Sequence, residues 1–411
     1  MPVGNLLPGG GGVAGSLIAG TMADRIATVD ADVLSAFAQF NFIVSDTFTI
    51  QAGGRITQDD RDGFRTLTIV KDDGSPLPAA QFGAPLVWAG LLGFTSTNLS
   101  DPLLAPSGGG VLQGLLGVLP VEGSRDTTKF SPEVKLVWNA SDDAMLNLSW
   151  SEGFKSGSFD FRANNRSFYA DMPASFEFDD EEATNIELGG KFVFAGGAFE
   201  LNVAAFFTDY KNLQISIFDG GLGFNVGNAA SADINGIEFD IRWAASDYLT
   251  ITGGLAFTDF EFTDFENGQC YFGATSDVVF GGIDFCSYTG NSNQMVSDTQ
   301  GNVTFDYRRP VGNNLEFSGA LDVFFTSEYD ASATYDPALV QDSYSMVNAR
   351  IALGSETGRW QVALLAKNIT DEKILTFGGD TPLSGSIFLA KSNYAFYAPG
   401  RTTTIQAIFR F

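Results

Sequence analysis

Two cysteines, Cys270 and Cys286, lie 16 positions apart in a Gly/Asp/Ser-rich stretch. Joined, they would close a loop worth about 3 kcal/mol in the chain-entropy model and would need an oxidising compartment; unjoined, they are two unrelated thiols. The run Asp179, Asp180, Glu181 and Glu182 offers carboxylate oxygens to Ca²⁺, as does Asp59-Asp60-Arg61-Asp62. Neither has the spacing of an EF-hand, and both read first as solvated acidic margins. Gly9 to Gly12 has no following Lys-Ser/Thr and so is no phosphate cradle. There is no histidine, which removes the usual general base and excludes a Ser-His hydrolase, leaving at most a carboxylate-only site. No catalytic residue, cofactor or resident metal is expected.

Charge narrows the classes further. With 49 acidic and 23 basic residues the net charge is -26, which repels phosphate backbones and argues against nucleic acid as a partner. The chain is also 44% hydrophobic and 13% aromatic, with 38 Phe, too greasy for a disordered acidic tail. It must bury or sequester that phenylalanine. No run of 18 apolar residues exists, the nearest approach being Leu86 to Phe94, so no membrane-spanning helix is expected. The opening MPVGNLLPGGGG has neither the charged region nor the apolar region of a signal peptide.

The elements that must position these residues are strands. Ile186, Leu188, Gly190, Phe192 and Phe194 alternate with Asn185, Glu187, Gly189 and Lys191, and Ile237, Phe239, Ile241 and Trp243 alternate with Glu238, Asp240 and Arg242. Successive strand side chains point to opposite faces, so each run is a two-faced strand. Thirteen such runs can be drawn: 33–44, 46–58, 128–139, 143–154, 182–194, 198–209, 232–244, 248–260, 299–309, 314–326, 344–354, 359–369 and 401–411. Their connections alternate between short turns such as Ala195-Gly-Gly and long polar loops over 59–127, 155–181, 210–231, 261–298, 327–343 and 370–400.

Short turns on one side and long loops on the other are the layout of an antiparallel transmembrane β-barrel of the outer membrane, turns in the periplasm and loops outside. Soluble sandwiches have shorter strands and no such asymmetry. Charged positions then face a watery lumen, and Phe, Leu, Ile and Val face lipid. Trp138, Trp150, Trp243, Tyr248, Tyr344 and Trp360 fall near strand ends, where interfacial girdles form.

Several runs carry a family resemblance: LNLSWSEGFKSGSFD (146–160), EEATNIELGGKF (181–192), LNVAAFFTDYKNLQI (201–215), ADINGIEFDIRW (232–243), LLAKNITDEK (364–373) and the closing YAPGRTTTIQAIFRF. Together they resemble, in order, the C-terminal half of a TonB-dependent outer-membrane receptor. The resemblance implies an all-β barrel of about 22 strands, of which about thirteen are present. Residues 1–30 are expected to be the remnant of an extracellular loop, and 31–411 the C-terminal part of the barrel. The sequence shows no plug domain and no TonB-binding box, and its strand count is odd where a single-chain bacterial barrel closes with an even one. The chain is therefore expected to be a C-terminal piece, unable by itself to complete energy-coupled import.

What the resemblance implies for function is TonB-dependent uptake of a ferric siderophore or a similarly scarce small ligand, with TonB a partner of the full-length protein only. A plug-less porin or fatty-acid-type channel is the alternative; a barrel enzyme is the third class. Ligand is expected at the loops, where Arg162, Asn164, Asn165, Arg166 and Tyr169 follow the Gly-Phe-Lys turn; arginine can grip carboxylate or phosphate, and tyrosine can stack. Solvated loop residues are the plainer alternative for these five. At the far end Ile405, Ala407, Phe409 and Phe411 share one face. Phe409 and Phe411 resemble the aromatic signal read by the barrel-assembly machinery, and the outer face is expected to meet membrane lipid and lipopolysaccharide. The apolar stretch 86–120 is expected to form a collapsed external lid.

Overall fold

A computed structural model describes residues 19–75, 121–161, 176–218, 224–266, 268–280, 283–381 and 390–411. Thirteen strands form one antiparallel sheet in which each strand pairs with its neighbours in chain order. They are β1 (Thr21–Ser45), β2 (Phe48–Lys71), β3 (Val121–Ser141), β4 (Ala144–Lys155), β5 (Glu181–Phe194), β6 (Phe199–Phe218), β7 (Phe224–Ser246), β8 (Leu249–Asp264), β9 (Thr299–Val311), β10 (Leu315–Thr326), β11 (Tyr344–Ser355), β12 (Trp360–Lys367) and β13 (Thr402–Phe409). Among the described residues no ladder joins β1 to β13, and these two are the edges of the sheet. No helix there is long and apolar enough to cross a membrane.

Register turns the alternation into a continuous outer band. Phe42, Ile50, Leu136, Leu148, Leu188, Ala205, Ile237 and Phe257 follow one another across eight strands as direct cross-strand partners. A second row runs through Phe199, Trp243, Ile251, Phe305, Leu321 and Ala349. These side chains are solvent-accessible in the isolated chain, Leu188 at 55% and Phe257 at 44%, so they await a hydrocarbon environment instead of a protein core. The opposite face is polar: Arg242 pairs with Glu200 at 3.3 Å, and Asp322 accepts from Thr304 and Asn348, both at 2.9 Å.

The short turns are built by local chemistry. Ser45, Ser246 and Ser355 each accept a backbone N–H just past the turn through Oγ, from Phe48, Leu249 and Trp360, and Ser141 accepts from Asp143 within its own turn. Gly196 and Gly197 supply the left-handed backbone, φ 63° and 94°, that turns β5 into β6. Aromatic pairs gather at this rim: Phe48 opposite Trp138, Phe199 opposite Trp243 and Trp360 opposite Phe409. Trp150 and Tyr344 do not join them. Trp150 sits in the row of Val134 and Ile186, and Tyr344 at the loop end of β11.

Strands outrun their sequence pattern at the loop side. Thr21 to Asp30, expected as loop, is strand and pairs with Asp62 to Lys71; β6 and β7 reach Phe218 and Phe224, where 210–231 had been expected as loop. In Thr21 to Asp30 charged residues fall on both faces, Asp24 on one and Arg25 on the other, so the ladder continues where the clean alternation does not. At the C-terminus the ladder stops at Phe409, so Phe411 lies beyond it.

Candidate functional site

The loop-side rim divides into two assemblies. On the inner face of β2 and β3, Gly63 and Gly123 are direct partners and together leave a notch. Phe159, from the two-residue ladder Ser158–Phe159 with Glu177–Phe178, fills it: a Cβ on Gly63 would lie 2.4 Å from its ring, and one on Gly123 2.5 Å. Phe159 packs on Phe176, which also touches Phe161, and the guanidinium of the buried Arg65 lies 5.9 Å from the Phe176 ring. Asp160 accepts the backbone N–H of Val226 at 2.6 Å. The loop between β4 and β5 therefore folds inward against the wall at both of its described ends.

The acidic runs hold this loop in place. Arg125 pairs with Asp179 at 3.0 Å and Asp180 at 3.7 Å, Lys129 pairs with Asp180 and Glu182, and Asp180 accepts the N–H of Gly157 at 2.8 Å. Any side chain on Gly157 would strike the Phe178 carbonyl. Asp59 receives both guanidinium arms of Arg61, at 2.7 and 2.8 Å, and the Ser156 hydroxyl at 2.6 Å. Both runs read first as solvated margins, which Asp179 and Glu182 remain while pairing with Arg125 and Lys129, whereas Asp180 and Asp59 are withdrawn from solvent onto the chain's own cations. Among the described residues no group of three or more Asp, Glu, Cys or His is arranged for a metal.

The second assembly ties together the loops that follow β8, β10 and β12. A disulfide joins Cys270 to Cys286, with Cα atoms 5.1 Å apart, beside the ladder of Gly268–Gln269 with Ile283–Cys286. Phe260, Phe262, Phe265, Tyr288 and Tyr335 form a chain of ring contacts, the first three edge-to-face and the last tilted, and the Tyr335 hydroxyl donates to Ser292 O at 2.6 Å. Burial pushes the hydroxyls of Tyr288 and Tyr335 well above the usual tyrosine range. Lys391 lies 4.8 Å from the Tyr271 ring and 3.1 Å from the buried Asp336, which Asn393 also donates to. Burial raises the Asp336 carboxyl, but the N–H of Ala338, Asn393 and Lys391 outweigh it and hold it below the ordinary range. Asp380 accepts the N–H of Phe272 at 2.7 Å; burial, with Asp336 nearby, pushes it up. A hairpin of Leu375–Asp380 with Asn393–Tyr397 carries Phe377, Tyr394 and Phe396 in mutual ring contact.

Arg162, Asn164, Asn165, Arg166 and Tyr169 lie outside the described residues, as does the stretch 86–120. Residues that sequence alone did not single out are Phe159, Arg65, Lys391, Asp336 and the aromatic hairpin. The two glycines of the notch fall within 59–127, expected as loop, and so leave no trace in the strand pattern either.

A family model described as TonB dependent receptor-like, beta-barrel, matches residues 5–378. The chain belongs to this family. Similar solved structures are the ferric yersiniabactin uptake receptor FyuA of Yersinia pestis (16% identity, TM-score 0.63, 94% of this chain and 46% of that one), the siderophore receptor PiuA of Acinetobacter baumannii (16%, 0.58, 93% and 43%) and the closed form of the ferric-catecholate import receptor Fiu of E. coli K12 (14%, 0.59, 94% and 45%). At these identities the likeness is one of fold. The chain spans less than half the length of each of these receptors. It is an outer-membrane β-barrel protein of the TonB-dependent receptor family, with the apolar band in lipid and the long loops outside.

Proposed function

We propose that the chain forms part of the ligand-binding mouth of a receptor for TonB-dependent uptake of a ferric siderophore or a similarly scarce chelate. The observation that carries this reading is that the mouth is built inward and tied: the loop after β4 is seated on the inner wall by Phe159, and three further loops are cross-linked through Lys391, Asp336 and Asp380. A receptor needs a preorganised surface of this kind, and the seated and tied loops supply one. Two of the receptors named above are described as taking up or importing ferric complexes and the third as a siderophore receptor, which supports the ligand class. The alternative remains a channel without a plug.

Two measurements separate them. Quenching of tryptophan fluorescence in the purified chain should report saturable binding of a ferric siderophore, and uptake by the full-length receptor should stop when TonB is de-energised. Uptake indifferent to TonB, or a large steady ion conductance of the chain in planar bilayers with no chelate binding, would establish the channel. In the same reading the last strand, with Phe409 and Phe411, engages the barrel-assembly machinery, and lipopolysaccharide meets the outer face.

A further inference from the structure

One outward position breaks the apolar band near the short turns. Arg309 shares a cross-strand row with Phe317, Leu353, Val362 and Ala407, and the row above it, from Leu249 and Tyr307 across to Ile405, carries no charge. Its neighbour Arg308 faces inward and pairs with Asp306 at 3.0 Å. Among the described residues the Arg309 guanidinium forms no ion pair and no hydrogen bond; it lies over the ring of Tyr248, 5.3 Å from the centroid. We propose that Arg309 and Tyr248 bind the phosphate of an anionic phospholipid in the periplasmic leaflet.

Height is the first argument. Arg309 stands two residues before the end of β9 at Val311, and Tyr248 immediately precedes β8, so both belong to the rim of short turns, which lies in the periplasm. On that side the membrane is phospholipid, whereas lipopolysaccharide lies at the loops. A strand rises about 3.3 Å per residue, so the guanidinium is within a side chain's reach of the headgroups.

Charge is the second. A cation on the lipid-facing surface is costly unless something neutralises it, and the protein supplies nothing. Asp306 is taken by Arg308, Glu316 precedes Phe317 and so faces the lumen, and Asp247, in the turn before Tyr248, forms no ion pair with Arg309. The counter-charge must then come from the bilayer. One cation with no carboxylate paired to it suits a headgroup of net negative charge, such as phosphatidylglycerol. A headgroup with its own ammonium gains less, because that ammonium already offsets the phosphate.

Shape is the third. A guanidinium stacked by its flat face on a ring keeps its N–H donors in plane, where a phosphate can take two of them. Tyr248 is 42% exposed, and its hydroxyl and that of Tyr307, whose ring lies 6.4 Å away, have no partner among the described residues and can donate to the same phosphate. In the row above, Gly319 sits between Tyr307 and Ile351, and a Cβ there would meet nothing closer than 3.7 Å, which leaves a dip for the start of an acyl chain.

The test uses the full chain in neutral maltoside micelles with equimolar phosphatidylglycerol, phosphatidylethanolamine and phosphatidylcholine, the retained lipid counted by native mass spectrometry. Phosphatidylglycerol should be retained about threefold over each of the others, the scale of one partly exposed charge contact. Arg309→Gln should abolish that preference, while Arg308→Gln, which removes the same charge from the opposite face, should leave it intact, with circular dichroism of both unchanged. Excess inorganic phosphate should not displace the lipid. Equal retention of the three lipids by the unsubstituted chain, or a preference for a zwitterionic one, overturns the proposal whether or not the variants fold. So does a preference that survives Arg309→Gln, one lost equally in Arg308→Gln, or release by inorganic phosphate, which would make the site one for free anions.

Discussion

Phe159 owes its place to two side chains that are absent. Gly63→Leu should push the ring out of the notch, and Phe159→Ala should empty it; truncating a buried Phe costs about 3 kcal/mol, here charged to the docking of one loop. Hydrogen exchange at Gly157 to Phe161 should accelerate in both variants while the strands of the sheet stay protected. Asp380 makes the second case. Its carboxyl is raised by burial, so the docked form holds a proton more tightly than the released loop does. Stability from this group is present below the ordinary carboxylate pKa of about 3.8 and is lost as pH rises through the higher docked value. Asp380→Asn keeps an acceptor for the Phe272 N–H and should make loop protection at neutral pH greater, and less dependent on pH between 4 and 7. Asp336 has the opposite sign, its contribution fading only as pH falls below the ordinary range. None of this was legible in the sequence: one aspartate looks like another until burial and neighbours tell them apart.

Strands and turns were far more legible than the loops they carry. The period of two located all thirteen strands of the sheet in order, and serines opened or closed four of the short turns. The clean alternation fails from Thr21 to Asp30, where charged residues fall on both faces, which is why that stretch looked like loop and is strand. Loop contacts such as Lys391 with Tyr271 join residues 120 positions apart in sequence, with no periodicity to announce them. Within that assembly the Cys270–Cys286 bridge closes the loop whose Tyr271 and Phe272 hold the last loop. Reduction, or replacing both cysteines by serine, should free that hairpin by about 3 kcal/mol on the chain-entropy account. Limited proteolysis with and without reductant reads the result: new cleavage between 266 and 298, and then near 390, with the strands left intact.

Across the whole molecule the two faces of the sheet make opposite demands. Leu188 lies in the outward row and Glu187 beside it faces inward, so the same cation tests both environments. Leu188→Arg should cost about 2–4 kcal/mol near the bilayer midplane, whereas Glu187→Arg should be close to neutral. Folding yield of the full chain into lipid vesicles, titrated with urea, compares them directly. Equal losses would mean that the apolar band does not face lipid.

The glycine notch has a consequence for how such a mouth can change. The seat of the loop after β4 is fixed by the wall and by a few anchors, Phe159, Asp160, Asp179 and Asp180, that flank the intervening stretch. Whatever sequence is spliced between Phe161 and Phe176 starts and finishes at the same two points on the barrel. On the proposed function, specificity is rewritten by exchanging those residues alone, with the scaffold acting as a socket and the segment as a replaceable insert.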